Sequence, residues 1–313
     1  MKEYKYILEP YNGQNTRFLC PNNCKKQDKT FTRYIDKTTN KYVHISVGRC
    51  NRESKCGYNY TPKQYFQDNG FLNQSAYFKL SSTQNFVAKK QISYIPDYQF
   101  KNSLRGYESN CFINYLIKLF GVEITNQLIS KYFIGTSKYW FGSTVFWQVD
   151  ENNSVRTGKI MLYDPVIGRR IKKPYNYINW VHKVLKYSNF ELGQCLFGEH
   201  LLKDKAKVIA LVESEKTAII CSVYFPQFIW MAIGSLNNLN VAKVEVLKNR
   251  FVVLFPDLNG FDKWNKKVKE LSKIAEFKVS DLLERKATKE EKQLGLDLAD
   301  YLIRFDYTEF NNS

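Results

Sequence analysis

The sequence predicts a multidomain α+β chain with a small cysteine-bearing β-ribbon, a central α+β segment and a C-terminal α/β domain built on a mainly parallel sheet. Three observations lead there. Four cysteines flank a turn-interrupted alternating stretch within the first 60 residues, two helical patterns then give way to strand periodicity, and the last third alternates short apolar runs with helical stretches. The expected boundaries are 1–66 for the ribbon, 67–107 for a linker with a short helix, 108–202 for the central segment and 203–313 for the α/β domain.

In the ribbon, Cys20 and Cys24 are separated by three residues and Cys50 and Cys56 by five. Between the pairs, "FTRYIDKTTNKYVHIS" places two alternating segments around a polar turn, the pattern of a β-hairpin. Zinc takes four tetrahedral thiolate or imidazole ligands, and two cysteine pairs brought together by a hairpin supply them. Cys20, Cys24, Cys50 and Cys56 are therefore expected to hold a structural Zn²⁺, while His44, on an alternating strand, reads as an ordinary strand residue. Lys25, Lys26, Arg33, Arg49 and Arg52 give the ribbon a basic face. The N-terminal "MKEYKYILEPYNG" lacks the apolar core of a signal peptide, and no apolar run reaches the ~18 residues of a membrane helix. A cytoplasmic protein with reduced thiols and no membrane partner is expected. Cys111, Cys195 and Cys221 stand singly in apolar surroundings and read as core residues.

The Asn-, Gln- and Ser-rich stretch from Thr61 to Phe86 reads as a short helix followed by a linker. "YESNCFINYLIKLFG" and "VEITNQLISKYFIG" read as helices ended by Gly121 and Gly135. "TVFWQVD", the turn "ENNS" and "VRTGKIMLYDP" then form paired strands, and "QCLFGEHLL" a short helix. In the last third "VIALVE", "FIWMAIG" and "FVVLFPD" are strands, with a helix from Thr217 between the first two. "DKWNKKVKELSKIAEF" is an amphipathic helix, and "KATKEEKQLGLDLADYLIRF" a terminal helix packed on the domain.

Two of those strands end on acid, Glu213 in "VESEK" and Asp257 in "PDLNGFD". Ligands of parallel α/β sheets bind beyond the carboxyl ends of the strands. An acidic residue there commonly caps the following helix, and Glu213 alone would read that way. Two such ends, with the turn "AIGSLNN" between them, instead suggest a Mg²⁺ or Mn²⁺ site of Glu213, Asp257, Asn259 and Asp262.

Lys and Arg outnumber Asp and Glu by 47 to 30, a formal charge of +17 that favours a polyanionic partner. "GRRIKKP" concentrates Arg169, Arg170, Lys172 and Lys173 in one turn, either a solvated loop or a phosphate-tracking patch. No Gly-rich loop ends in Lys-Ser or Lys-Thr, which argues against a fused P-loop ATPase, and neither His182 nor His200 has a visible nucleophilic partner.

"VESEKTAI" resembles the first acidic motif of Toprim domains in phage and plasmid primases, "AIGSLNNLN" their glycine turn, and "VVLFPDLNG" their Asp-x-Asp strand, with the two acidic positions some 44 residues apart. Upstream, the stretch from Tyr132 to Pro165 is similar to the segment before Toprim in bacterial-type primases, and "QCLFGEHLL" to its leucine-rich helix. The whole chain also resembles zinc-ribbon and Toprim-like proteins of Bacteroidota mobile elements. The resemblance implies a Toprim-like fold for residues 203–313 and a primase-like protein that makes RNA primers on single-stranded DNA. It implies a catalytic role for Glu213 and Asp257, and a phosphate-facing Lys159. DNA contacts are expected from Arg33, Arg49, Arg169, Arg170, Lys172 and Lys173. Ribonucleoside triphosphates and a replicative helicase are the other implied partners. The chain departs from the pattern at Asn259, in place of the second Asp, and at Thr217, where an Asp is expected. Those departures keep open a non-catalytic zinc and Toprim DNA-binding factor, while a Toprim nuclease would use the same carboxylates.

Overall fold

The computed structural model describes residues 4–24, 28–52, 56–69 and 91–310. The chain divides into two compact units, residues 1–88 and 89–313.

In the first unit, β1 (Tyr6–Leu8), β2 (Phe31–Asp36), β3 (Lys41–Tyr42), β4 (Gly48–Cys50) and β5 (Asn59–Tyr60) make an antiparallel ribbon. The expected hairpin is β2 and β3, closed through Asn40 in the left-handed region at φ 53°. The sequence reading left out a second partner: β2 also pairs with β4, in register Phe31↔Cys50. Gly48 permits that pairing, because a Cβ there would collide with the Thr32 carbonyl and the Phe31 ring. α1 (Pro62–Asp68) follows, started by a capping box between Thr61 and Gln64. The short helix expected at the start of the stretch from Thr61 is α1, which begins ahead of the expected linker boundary at 67; residues 70–90 of the linker, like Lys25 and Lys26, lie outside the described residues.

The second unit opens with α2 (Asp97–Ser103) and α3 (Cys111–Tyr132). Gly121, at φ 78° and ψ 172°, breaks α3 into the two helices read from the sequence. The second half stops at Tyr132 with Phe133 as its left-handed cap, and Gly135 opens a strand instead of ending a helix. The strands β6 (Gly135–Ser137), β7 (Ser143–Val149), β8 (Val155–Met161) and β9 (Ile178–Trp180) form an antiparallel meander. After the short α4 (Val181–Val184), "FGEHLL" forms a 3₁₀ turn, Glu199–Lys203.

The other sheet of this unit is wholly parallel. β10 (Ile209–Val212) lies between β11 (Ile229–Ala232) and β12 (Phe251–Phe255), with β13 (Glu276–Val279) outside β12. β10 and β11 are buried throughout, as strands covered on both faces must be. Between them runs α5 (Glu215–Tyr224), which starts two residues before Thr217 because the Ser214 side chain accepts from Thr217 N and caps it. α6 (Val241–Val244) and the amphipathic α7 (Phe261–Leu271) complete the connections around β12.

The expected helix through Phe277 ends at Leu271, and its tail becomes β13; alternating burial along "EFKV" marks a half-covered edge strand. The single terminal helix expected from Lys286 to Phe305 is also corrected: after the separate α8 (Leu282–Lys286), α9 (Lys289–Leu294) and α10 (Leu298–Leu302) replace it, with Gly295 at φ 64° as the left-handed stop of α9. One apolar cluster includes Phe112, Leu116 and Phe146 of the central segment, Ala210, Val212 and Ile219 around the parallel sheet, and Leu298 and Leu302 of α10. Among the described residues no helix is long and apolar enough to cross a membrane.

Candidate metal centres and carboxylate site

β2–β4 pairing sets Cys50 beside Phe31, and with Cys20 these two residues are the buried centre of the ribbon. Cys24 and Cys56 pack against them from their loops. All four Sγ atoms lie within 4.8 Å of one another, with Cys20–Cys56 at 3.5 Å and Cys24–Cys50 at 3.7 Å. Tetrahedral zinc with bonds of ~2.3 Å sets sulfur–sulfur spacings of roughly 3.8 Å, so the quartet fits a structural zinc. His44 stands apart, bonded through Nδ1 to Ser46 Oγ at 2.7 Å and stacked on Tyr65.

Glu213 and Asp257 follow the adjacent strands β10 and β12, whose parallel register, Val212↔Phe255, brings both strand ends to one edge. The Asp257 backbone N–H donates to Glu213 Oε1 at 3.4 Å. Gly234, at φ 87°, makes the turn after β11 that only glycine adopts without strain, and its N–H binds the Glu213 carbonyl at 2.9 Å. Burial pushes the Glu213 carboxyl up to about 7, against backbone N–H donors and Lys263. Burial also drives Asp257 well above the usual carboxylate range, reinforced by the charges of Glu213, Asp297 and Asp300. Asp257 Oδ1 is buried with no hydrogen-bond partner among the described residues. A buried acceptor without a donor is costly, and here it lies in a field of carboxylates, which a cation would relieve.

The other expected metal residues do not join this pair. Asn259, at φ 70°, donates its Nδ2 to the Lys292 carbonyl at 2.7 Å, and its backbone N–H to Glu284 Oε1 at 2.8 Å. It ties the loop after β12 to α8 and α9, and Leu258 N ties the same loop to the turn between α9 and α10 by donating to Leu296 O. Asp262 is exposed in the first turn of α7. Among the described residues, the cysteine quartet is the one group of three or more His, Cys, Asp or Glu with mutually close ligand atoms.

Sequence reasoning missed Asp297 and Asp300. Asp297 caps α10 by accepting from Asp300 N, and it also accepts from Thr217 Oγ1 at 2.8 Å. Lys216 bridges to Asp297 at 3.6 Å and Asp300 at 3.2 Å. Burial opposes the Lys216 charge, but the two carboxylates outweigh it and raise its pKa. The available signal was a pair of acids inside the apolar run "LGLDLADYLI", where a buried carboxylate needs a partner.

Lys159, on β8, is buried and gives Nζ to both oxygens of Glu215 at 3.1 Å and to the Gly234 carbonyl at 3.5 Å. Glu215 is 1% exposed, so this pair locks the antiparallel meander to the start of α5 and the glycine turn. The basic residues are dispersed. Arg33 stacks on Phe18 at 3.7 Å and donates to the Ile45 carbonyl, and Arg49 is exposed on β4. Arg169, Lys172 and Lys173 are exposed, whereas Arg170 is half-buried with its Nε in the interior.

Residues 110–258 match the model of a domain of unknown function, DUF6371, and residues 4–71 match that of a zinc β-ribbon finger. No curated protein matches the sequence. Among solved structures, the chain is similar to the primase fragment of the bacteriophage T7 primase-helicase protein, at TM-score 0.38 and 13% identity over 89% of this chain and 98% of that one. It is similar to the E. coli primase catalytic core, at 0.37 and 13% over 66% and 81%. It is also similar to the zinc-binding and RNA polymerase domains of the Aquifex aeolicus primase, at 0.35 and 11% over 97% and 79%.

Proposed function

We propose that the chain is a primase-type nucleotidyltransferase that makes short RNA on single-stranded DNA, with residues 203–313 as its Toprim-like domain. The observation that carries the reading is the Glu213–Asp257 pair at the ends of adjacent parallel strands, with one buried Asp257 oxygen left without a donor. Two carboxylates suit Mg²⁺ or Mn²⁺, which keep several waters and share the rest of their shell with phosphate oxygens. When bound, the ion would neutralise the phosphate charge that develops as a phosphodiester forms. Glu213 and Asp257 would hold that ion once deprotonated. Lys159 and Glu215 would fix the glycine turn beside it, and Lys216 would keep Asp297 and Asp300 compensated. The net charge of +17 favours a polyanionic template, and the exposed Arg49, Arg169, Lys172 and Lys173 are the candidates for its backbone.

One observation favours a second reading, a DNA-binding factor without catalysis. Asn259 serves as a loop tether, and among the described residues no third acidic ligand joins the pair. Incubation of zinc-loaded protein with single-stranded DNA, labelled ribonucleotides and Mg²⁺ or Mn²⁺ separates the two. Template-dependent oligoribonucleotides that disappear in Glu213→Gln and Asp257→Asn are expected. DNA binding without product would leave the binding factor, and shortened template would indicate a nuclease.

A further inference from the structure

The registers Thr144↔Met161 and Met161↔Ile178 bring the turn between β6 and β7 and the loop that leads into β9 to one end of the antiparallel meander. Four rings meet there. Tyr139 packs edge-on against Trp140 at 4.5 Å between centroids, Trp140 against Tyr177 at 5.3 Å, and Tyr177 stacks on Tyr175 at 4.4 Å. Phe141 follows Trp140 in the turn and is 87% exposed, more than any other large apolar side chain among the described residues, and Tyr175 is 54% exposed. The turn itself is tied down. Ser143 N donates to the Trp140 carbonyl at 3.0 Å, Cys111 N to the Gly142 carbonyl at 3.0 Å and Tyr139 N to Ser137 Oγ at 3.1 Å. Phe141 is thus presented to water by a hydrogen-bonded turn, and the apolar surface it leaves wet is what a partner would cover.

The charge around the rings says which partner. The stretches 133–149 and 165–190, which supply all five aromatic residues, hold seven Lys or Arg and no Asp or Glu. Lys138 precedes the turn, and Lys172 and Lys173 precede Tyr175, all three exposed. Open aromatic faces among cations, with no carboxylate in either stretch, match an unpaired nucleic-acid strand: every base has a π-face to stack, and the phosphates take the cations. A duplex keeps its base faces inside the stack, so it can use the cations and not the rings.

We propose that Phe141 and Tyr175 stack unpaired bases, and that this stacking gives the end of the meander its preference for single-stranded over duplex DNA. DNA as the occupant rests on the template of the proposed function. The preference itself does not require RNA synthesis or the Glu213–Asp257 pair.

The test is fluorescence anisotropy of a labelled oligothymidylate, and of a labelled duplex of equal length, titrated with the full zinc-loaded chain at low and at moderate salt. Phe141→Ala/Tyr175→Ala should weaken the single strand by roughly tenfold or more while the duplex affinity and the salt dependence stay as they were, and Phe141→Trp/Tyr175→Phe should retain native binding. Lys172→Ala/Lys173→Ala should instead weaken both DNAs and flatten the salt dependence. Both aromatic positions are exposed, so the unfolding midpoint should not move. Single-strand affinity unmoved by the aromatic double substitution would overturn the proposal, as would an equal loss on strand and duplex, or a native chain that binds neither. A changed oligomeric state with DNA affinity intact would assign the rings to a protein contact and overturn it too. Failure of the primase reading has its own signature, a ring-dependent single-strand preference in protein that makes no RNA.

Discussion

The Glu213 carboxyl titrates near 7 because burial disfavours its charge, so the folded chain holds that proton more tightly than the unfolded chain, where the ordinary value is 4.5. Its contribution to stability is complete below about pH 4.5 and is lost as pH rises through about 7. A divalent ion needs the deprotonated form and would offset that loss. Mg²⁺ should therefore raise the unfolding midpoint more at about pH 8 than at about pH 6, and Glu213→Gln should abolish the difference. A Mg²⁺ increment independent of pH, or one kept by the variant, would remove Glu213 from the site. Lys159 makes a second residue-level prediction. Lys159→Met leaves Glu215 buried without its partner and should cost about 3 kcal/mol or more in urea unfolding, with much of the loss recovered by adding Glu215→Gln. A loss no larger than that of an exposed pair would mean that the lysine is free to face a ligand.

At the scale of elements, the ribbon's metal site is made by β2 pairing with both β3 and β4. Cys50→Ser should lower zinc content from about one per chain to near zero and expose the ribbon to proteolysis. Elemental analysis that finds zinc undiminished would place the metal elsewhere. The quartet was legible because clustered thiols need no knowledge of the fold, and the apolar runs of β10 and β11 were legible because doubly covered strands are apolar along their whole length, while β12 is apolar throughout although its burial alternates. β13 was not, since its half-exposed "EFKV" continues the lysine-rich pattern of α7. The C-terminal helices were read as one because Gly295 looks tolerable within a helix, yet its left-handed cap is what turns Asp297 toward Thr217 and Lys216. Likewise, Lys159 and Glu215 pair across 56 positions, and sequence spacing carries no information about such a contact.

For the whole molecule, the sequence carries a formal charge of +17, while in the second unit Glu213, Asp257, Asp297 and Asp300 share one charge field. The buried carboxylates carry the local chemistry, and the positive surface supplies long-range attraction for a polyanion. Lys216 bridges Asp297 and Asp300 and Lys263 opposes the Glu213 shift, yet the buried Asp257 Oδ1 has no hydrogen-bond partner among the described residues, so the Glu213–Asp257 pair is where a divalent ion is expected. The most direct test of that claim is a Mn²⁺ titration of the zinc-loaded chain followed by electron paramagnetic resonance, in the native sequence and in Asp257→Asn. The account predicts about one bound Mn²⁺ per chain that the variant loses while its zinc content and fold are unchanged. Equal Mn²⁺ binding by both proteins, or none by either, would contradict it.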